Sequence, residues 1–432
     1  MGSIEEHLYR ERAQAIAAEA AARAAELDSI ARRLAVLVSI FKEWLYLPDV
    51  APLLAVLGTV AANLMPGDPL WLLIVGPPGG GKTELLQPVA ALPSAIATST
   101  LTEASLLSGT PAQQKAEDAT GGLLREIGNQ GILLCKDFGS ILNMHRETRA
   151  TVLAALREIY DGAWTRRLGI DGGRTLHWEG KLGFIGACTS SIDNHHAVMA
   201  AMGERFILYR LPIINENELA YRALSHQGQE VHMRKALATA VREFFTGLNL
   251  PEGGELKSAQ TARLIALATL AARGRSAVER DGRTREVELI HDPEAPSRLV
   301  LALAKLLHGI TAVGGSADEA WRVVTKVALD CIPALRFKLI RTLGGARDPV
   351  ETDTIARSVR HPTPTTRRGL EDLQAHGLVD RKGRSRSHVW VLSDWARTRC
   401  FAADINFPEM SEAQGANGFP EMSGDTGSGE TP

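Results

Sequence analysis

The 432-residue sequence is short of several things that would fix its class at once. It has four cysteines, Cys135, Cys188, Cys331 and Cys400, and no two of them stand at C-x-x-C spacing. That excludes a paired-cysteine metal or redox site and predicts reduced, mostly buried thiols. It has no uncharged apolar run of eighteen or more residues, which excludes a membrane-spanning helix, and no leader pattern at its N-terminus, so a soluble, cytoplasmic protein with no membrane partner is expected. Net charge is nearly absent too: 48 Lys and Arg stand against 50 Asp and Glu, a total of −2. The total says little, but the distribution says more. Residues 336–399 are rich in arginine and roughly the last thirty are acidic. Hydrophobic residues make up 45% of the chain, enough for sizeable cores, and the length predicts about three domains.

What is present is dominated by one stretch, Gly76-Pro77-Pro78-Gly79-Gly80-Gly81-Lys82-Thr83. An apolar run, Leu70 to Val75, precedes it and reads as a buried parallel strand; helix-compatible residues from Glu84 follow. Strand, G-x-x-x-x-G-K-T loop and helix in that order predict a polyphosphate cradle. The glycines let successive backbone N–H groups turn inward, Lys82 neutralises the β- and γ-phosphates, and the Thr83 hydroxyl holds Mg²⁺. The expected ligands are ATP and Mg²⁺.

Further strands are expected at 93–100, 132–135, 182–188 and 206–211, with a helix over 146–160. The 132–135 strand ends in Lys136-Asp137. A carboxylate there lies beside the phosphate loop, but the usual second acid is missing. Asp137 is therefore either the Mg²⁺ ligand, with Glu126 or Glu158 as the base, or the base itself. Residues 161–178 read as a β-hairpin around a Gly-Ile-Asp-Gly-Gly tip; its basic residues are Arg166, Arg167 and Arg174, candidate DNA contacts, with Lys181 just beyond. Asp193, His195 and His196 have no third ligand cluster at metal spacing and read as a loop.

Phosphate loop, acid-ended strand, helix, hairpin, a strand ending in Thr189, and Glu204-Arg205-Phe206 before the last strand together resemble the core of an AAA+ ATPase. The order Leu156-Arg157-Glu158-Ile159-Tyr160-Asp161-Gly162, hairpin, strand is similar to the helicase-type branch that includes the MCM replicative helicases. The resemblance covers about residues 45–335. It implies an α/β three-layer core with a parallel sheet, an α-helical lid, and assembly into a ring. It makes Thr189 sensor 1, Arg205 an arginine finger reaching a neighbouring subunit's nucleotide, and Arg298, after Pro293 and Pro296, a sensor-2 contact to the γ-phosphate.

The domain reading is amphipathic helices at 1–45, either a coiled-coil seam or a cover for the core; an ATPase core at 46–214; a helical lid at 215–343; and a linker at Gly344-Gly345. A segment at 346–396 then resembles a winged helix-turn-helix. Its second helix, carrying Arg367 and Arg368, and its wing, carrying Lys382, Arg384 and Arg386, are the candidate DNA contacts. A tail from 403 to 432 is expected to be disordered; it repeats Phe407-Pro408-Glu409-Met410-Ser411 as Phe419-Pro420-Glu421-Met422-Ser423, a tandem docking motif for a protein partner or a bare duplication. The function expected is an ATP-hydrolysing, DNA-dependent motor of helicase or translocase type. The alternatives are a DNA-binding regulator using ATP as an assembly switch, and an ATP-driven protein remodeller.

Overall fold

In the computed structural model, which describes residues 2–109, 120–169, 173–201, 203–212, 215–250, 254–383 and 389–409, the apolar run before the glycine loop is strand β1 (Trp71–Val75), buried from end to end. A strand buried on both faces needs a layer above and below it. The chain supplies both.

Two helices come first, α1 (Gly2–Trp44) and α2 (Ala51–Leu64). After β1 the loop enters α3 (Lys82–Leu86), which tightens to a 3-10 turn at Gln87–Ala91. Pro88 has no N–H to continue an α-helical ladder, so the helix is shorter than its sequence suggests. Next come β2 (Ala95–Thr98), α4 (Glu103–Leu106), α5 (Leu123–Ile127), β3 (Gln130–Cys135), α6 (Gly139–Leu142) and α7 (Arg146–Tyr160). A ribbon of β4 (Ala163–Leu168) and β5 (Arg174–Glu179) precedes β6 (Lys181–Cys188), then α8 (His196–Ala201) and β7 (Phe206–Arg210). The helical part follows: α9 (Glu216–Ser225), α10 (Glu230–Phe245), α11 (Ser258–Arg275), α12 (Ser297–Ala312) and α13 (Ala317–Asp330). Within it lies a ribbon with little burial, β8 (Val278–Arg280) and β9 (Val287–Ile290), inside the stretch read from sequence as a helical lid.

The five strands pair in parallel in the order β2-β3-β6-β1-β7. The chain leaves β1 towards β2 on one side and ends at β7 on the other. Loops diverge at such a reversal, which makes the C-terminal edge of β1 the natural ligand crevice. Against one face packs an aromatic group in which the Trp71 ring lies 5.1 Å from Tyr160, 5.4 Å from Phe184 and 5.0 Å from Phe206. β7 is an edge strand, and its free N–H groups are covered: Arg210 N–H donates to the Asp330 carboxylate at 2.7 Å and Leu208 N–H to Cys331 Sγ at 3.4 Å.

α1 is one continuous helix. Ile30, Leu34, Leu37, Phe41 and Trp44 are buried, and Arg33 donates to the carbonyls of Phe244 and Thr246 at the end of α10, so this half of the helix covers its own chain. α2 crosses α12 at two glycines: a Cβ on Gly309 would fall 2.1 Å from the Gly58 carbonyl oxygen. No other residue type permits that approach.

The chain divides into two compact units, 1–334 with 399–405, and 335–398 with 406 onward. The division falls ahead of Gly344-Gly345, because α14 (Ala334–Gly344) already packs with the second unit: Arg336 pairs with Asp372 at 3.1 Å. That unit continues with β10 (Val350–Glu351), α15 (Thr352–Val359), α16 (Thr363–Ala375), β11 (Val379–Lys382), β12 (Val389–Leu392) and the start of α17 (Asp394–Ala402), whose residues from Arg399 count with the first unit; its antiparallel sheet is ordered β10-β12-β11. α15 ends at Arg360, a left-handed residue with φ 55°. No described helix is long and apolar enough to cross a membrane.

Candidate nucleotide site

The loop after β1 is shaped by two left-handed glycines, Gly79 (φ 72°) and Gly81 (φ 75°), and neither has a heavy atom within 4 Å of where a Cβ would stand. The strain of a side chain would be in the backbone, not in crowding. Gly76 N–H donates to Cys188 O at 3.2 Å and Gly80 N–H to Pro77 O at 3.2 Å, which fixes the loop's two ends. Lys82 Nζ reaches back to Gly76 O at 2.9 Å and Pro77 O at 2.6 Å. Burial lowers its pKa from the ordinary lysine value, with Cys188 and Asp137 opposing.

Asp137 follows β3 at the same edge and its side chain is exposed. Its carbonyl accepts from Ser140 Oγ at 2.8 Å, while Phe138 N–H donates to Ala187 O at 2.8 Å and ties the turn to β6. Thr189 follows β6, with Oγ1 2.7 Å from Ser191 Oγ. Lys82, Thr83, Asp137 and Thr189 thus lie at the C-terminal ends of β1, β3 and β6. Thr83 and Asp137 are both exposed oxygen donors. One hydroxyl and one carboxylate, completed by water and phosphate oxygens, is a set suited to Mg²⁺. Cys135 and Cys188 lie beneath this edge with thiols pushed up to about 12 by burial, so neither supplies a thiolate.

No family model matches the sequence, and no curated protein matches it. Solved structures that match include a chain from Cytophaga hutchinsonii whose own description as an ATPase is provisional. The alignment has 12% identity and a TM-score of 0.40, and covers 72% of this chain and 89% of that one.

Sequence reasoning missed two arginines here. Arg210, the last residue of β7, forms a two-pronged pair with Asp193 at 2.9 and 2.7 Å, and its Nε donates to Asp330 O at 3.0 Å. Asp330 is also held by Lys326 at 2.7 Å; burial raises its pKa, against the pull of Lys326 and Arg210. This chain of charges joins the loop after Thr189 to α13. The signal was legible in principle: an arginine ending an apolar strand and an aspartate four residues beyond Thr189. Asp193 therefore serves an ion pair. The second arginine, Arg234 on α10, pairs with Glu84 beside Thr83 at 3.1 Å.

Four expected site residues sit elsewhere. Glu126 lies on α5 ahead of β3, and Glu158 is two residues from Tyr160, whose ring packs on Trp71 at the start of β1. Both are at the N-terminal edge, so neither is placed to act as a base at Asp137. Arg205 and Arg298 share that edge. The Arg205 guanidinium is buried, 2.7 Å from Asp161 and 5.4 Å from the centre of the Tyr160 ring, and it is not presented outward as a finger would be. Arg298 is exposed and donates to Gly203 O at 3.1 Å.

The hairpin register sorts its basic residues. Arg166, Leu176 and the two tryptophans Trp164 and Trp178 share the inner face, where Arg166 donates to Leu107 O. Arg174 lies on that face too and is half-buried. Arg167 alone of the three is on the outer face, with Thr165, Thr175 and His177, and Lys181 is held by Met65 O. Residues 170–172 of the tip lie outside the described residues. In the C-terminal unit Arg367 and Lys382 are exposed, Arg367 lying 3.6 Å from Glu371, and Arg368 is half-buried. Arg384 and Arg386 lie outside the described residues.

Proposed function

We propose that the chain is an ATP-binding, ATP-hydrolysing AAA+-type P-loop protein that engages DNA through its C-terminal unit. The observation that carries the first half is the convergence of Lys82, Thr83, Asp137 and Thr189 on one edge of a parallel sheet, at a loop that the left-handed Gly79 and Gly81 turn into a helix N-terminus. In this reading Lys82 neutralises phosphate charge, Thr83 and Asp137 hold Mg²⁺, and Thr189 orients the γ-phosphate or the attacking water. Mg²⁺ supplies charge neutralisation across the β- and γ-oxygens when bound. Among the described residues Asp137 is the acid left for this role at the edge, since Asp193 is engaged by Arg210 and Glu84 by Arg234. Turnover is accordingly expected to be slow.

The DNA half of the proposal rests on the helix pair α15–α16 beside a small antiparallel sheet, with Arg367 and Lys382 exposed. That arrangement supports a winged-helix reading in which α16 enters the major groove. A specific observation favours a switch over a strand-separating motor: Arg167 is the one described hairpin arginine on the outer face.

The test is Mg²⁺-dependent ATP hydrolysis by the full chain, alone and with single-stranded or duplex DNA, beside Lys82→Ala and Asp137→Asn. Nucleotide binding lost with Lys82→Ala, and turnover lowered about 10²-fold or more with Asp137→Asn, are the expected results. Nucleotide bound equally by Lys82→Ala would end the reading. Turnover stimulated several-fold by single strands would favour the motor. Arg367→Ala with Lys382→Ala should weaken duplex binding and reduce its salt slope by about 2 without touching turnover.

A further inference from the structure

The sequence carries Phe-Pro-Glu twice near its end, at 407–409 and at 419–421. The first is seated on the C-terminal unit: the Phe407 ring lies against Gly344, at the end of α14, so closely that a Cβ there would fall 2.1 Å from Cδ2 and 2.7 Å from Cε2. Two residues on, Glu409 accepts a hydrogen bond from Arg347 Nη2. Pro408 stands between them, and its fixed φ holds ring and carboxylate at a set spacing. The segment from 403, expected without structure, is therefore packed through Phe407.

We propose that Gly344 and Arg347 form a docking seat for a Phe-Pro-Glu segment, and that its second occupant is residues 419–421 of the same chain. The bare Cα of Gly344 admits an aromatic ring that any side chain would displace. Arg347 reads the acid two residues later. That ion pair is 82% and 77% exposed, so it sets direction while the ring carries the affinity. Residues Phe419-Pro420-Glu421 offer the same three groups in the same order, twelve positions on. Each chain thus has one seat and two ligands for it. The chain is still ordered at Ile405, whose N–H donates to Cys400 O at 2.9 Å, so the first repeat follows that anchor almost at once and the second only after a further twelve residues; the longer tether costs more closure entropy and favours the first. The second repeat then holds the seat in a minority of molecules, and takes it over when the first is disabled. The tail shifts register by twelve residues at each exchange.

Cysteine pairs in the full chain test this, because the four natural cysteines are buried. Under mild oxidation Arg347→Cys with Glu409→Cys should link rapidly within one chain, and Arg347→Cys with Glu421→Cys more slowly. Adding Phe407→Ala to the second pair should speed its linkage several-fold, and adding Phe419→Ala as well should reverse the gain without touching the seat. Non-reducing gels and the masses of the linked peptides give the readout. Linkage of position 421 that ignores both phenylalanine substitutions would overturn the seat. Links forming mainly between two chains would overturn the same-chain occupant.

Discussion

Replacing Asp161 by Asn separates the two roles that Arg205 can have. The Arg205 side chain is 3% exposed and lies 2.7 Å from a carboxylate that is itself 55% exposed. Removing one partner of a fully buried pair costs about 3–5 kcal/mol and of a surface pair about 0–1, so this half-open pair should cost about 1–3 kcal/mol. A unit of this size unfolds with an entropy of roughly 0.7 kcal/mol/K, so Tm should fall by about 1.5–4 °C. Arg205→Ala removes the pair, the contact with Tyr160 and the buried stem, and should cost about 2–4 kcal/mol, or about 3–6 °C. Thermal unfolding by circular dichroism supplies both numbers, with turnover per folded molecule measured in parallel. A structural Arg205 predicts that both variants melt early and that turnover changes little. An arginine finger predicts the reverse: Tm unmoved and turnover down about 10³-fold or more in Arg205→Ala. That second pattern would refute the structural reading of the buried pair.

Gly309→Ala drives a methyl group into the Gly58 carbonyl and should destabilise by about 1–3 kcal/mol, whereas Ala62→Gly beside it should cost no more than about 1; equal losses would mean that the α2–α12 crossing relaxes freely. Burial pushes Glu204 up to about 7 from 4.5, Arg275 opposing and Glu294 adding to the rise. The folded value lies above the unfolded one, so the contribution is fully present below about pH 4.5 and is lost as pH climbs to 7. Wild-type stability should therefore decline across that window, and Glu204→Gln should flatten the decline in denaturant titrations at pH 5 and pH 7.5.

The sheet was legible because its strands carry their signal locally. Apolar runs of four to eight residues, ended by glycine, a charge or a hydroxyl, located β1, β3, β6 and β7 to within a residue or two. α7 was read to its ends for the same reason. The ribbon β8–β9 was not, since β9 is exposed throughout, β8 is at most half-buried, and neither has a buried face. The P-loop was legible because phosphate binding fixes both spacing and residue type. Glu126 and Glu158 misled because nothing in a linear pattern says at which end of a strand a helical acid will lie. Arg210 was missed for the complementary reason: its partners, Asp193 and Asp330, are 17 and 120 residues away.

The two edges of the sheet bear on how any assembly would work. β1 and β7 run parallel and start together, so Gly203, Arg205 and Arg298 lie about 13 Å, the length of four strand residues, from the P-loop of their own chain. A phosphate contact made by this cluster would have to be to another copy's nucleotide. Of the two arginines, Arg298 is the exposed one; Arg205 is buried beneath the turn whose Gly203 carbonyl receives Arg298. The arrangement thus makes Arg298 the residue presented outward and Arg205 the one that shapes its support. A contact of P-loop edge to Arg298 edge is head-to-tail, which builds rings or filaments and not closed dimers. Mixing tests it. Lys82→Ala chains keep Arg298 but lose the phosphate loop, and Arg298→Ala chains keep the loop but lose the arginine. In an equal random mixture about a quarter of head-to-tail contacts join an intact loop to an intact Arg298, so turnover should recover to about a quarter of wild type. Two inactive variants that stay inactive when mixed, while still assembling by light scattering, would show that Arg298 does not act across chains.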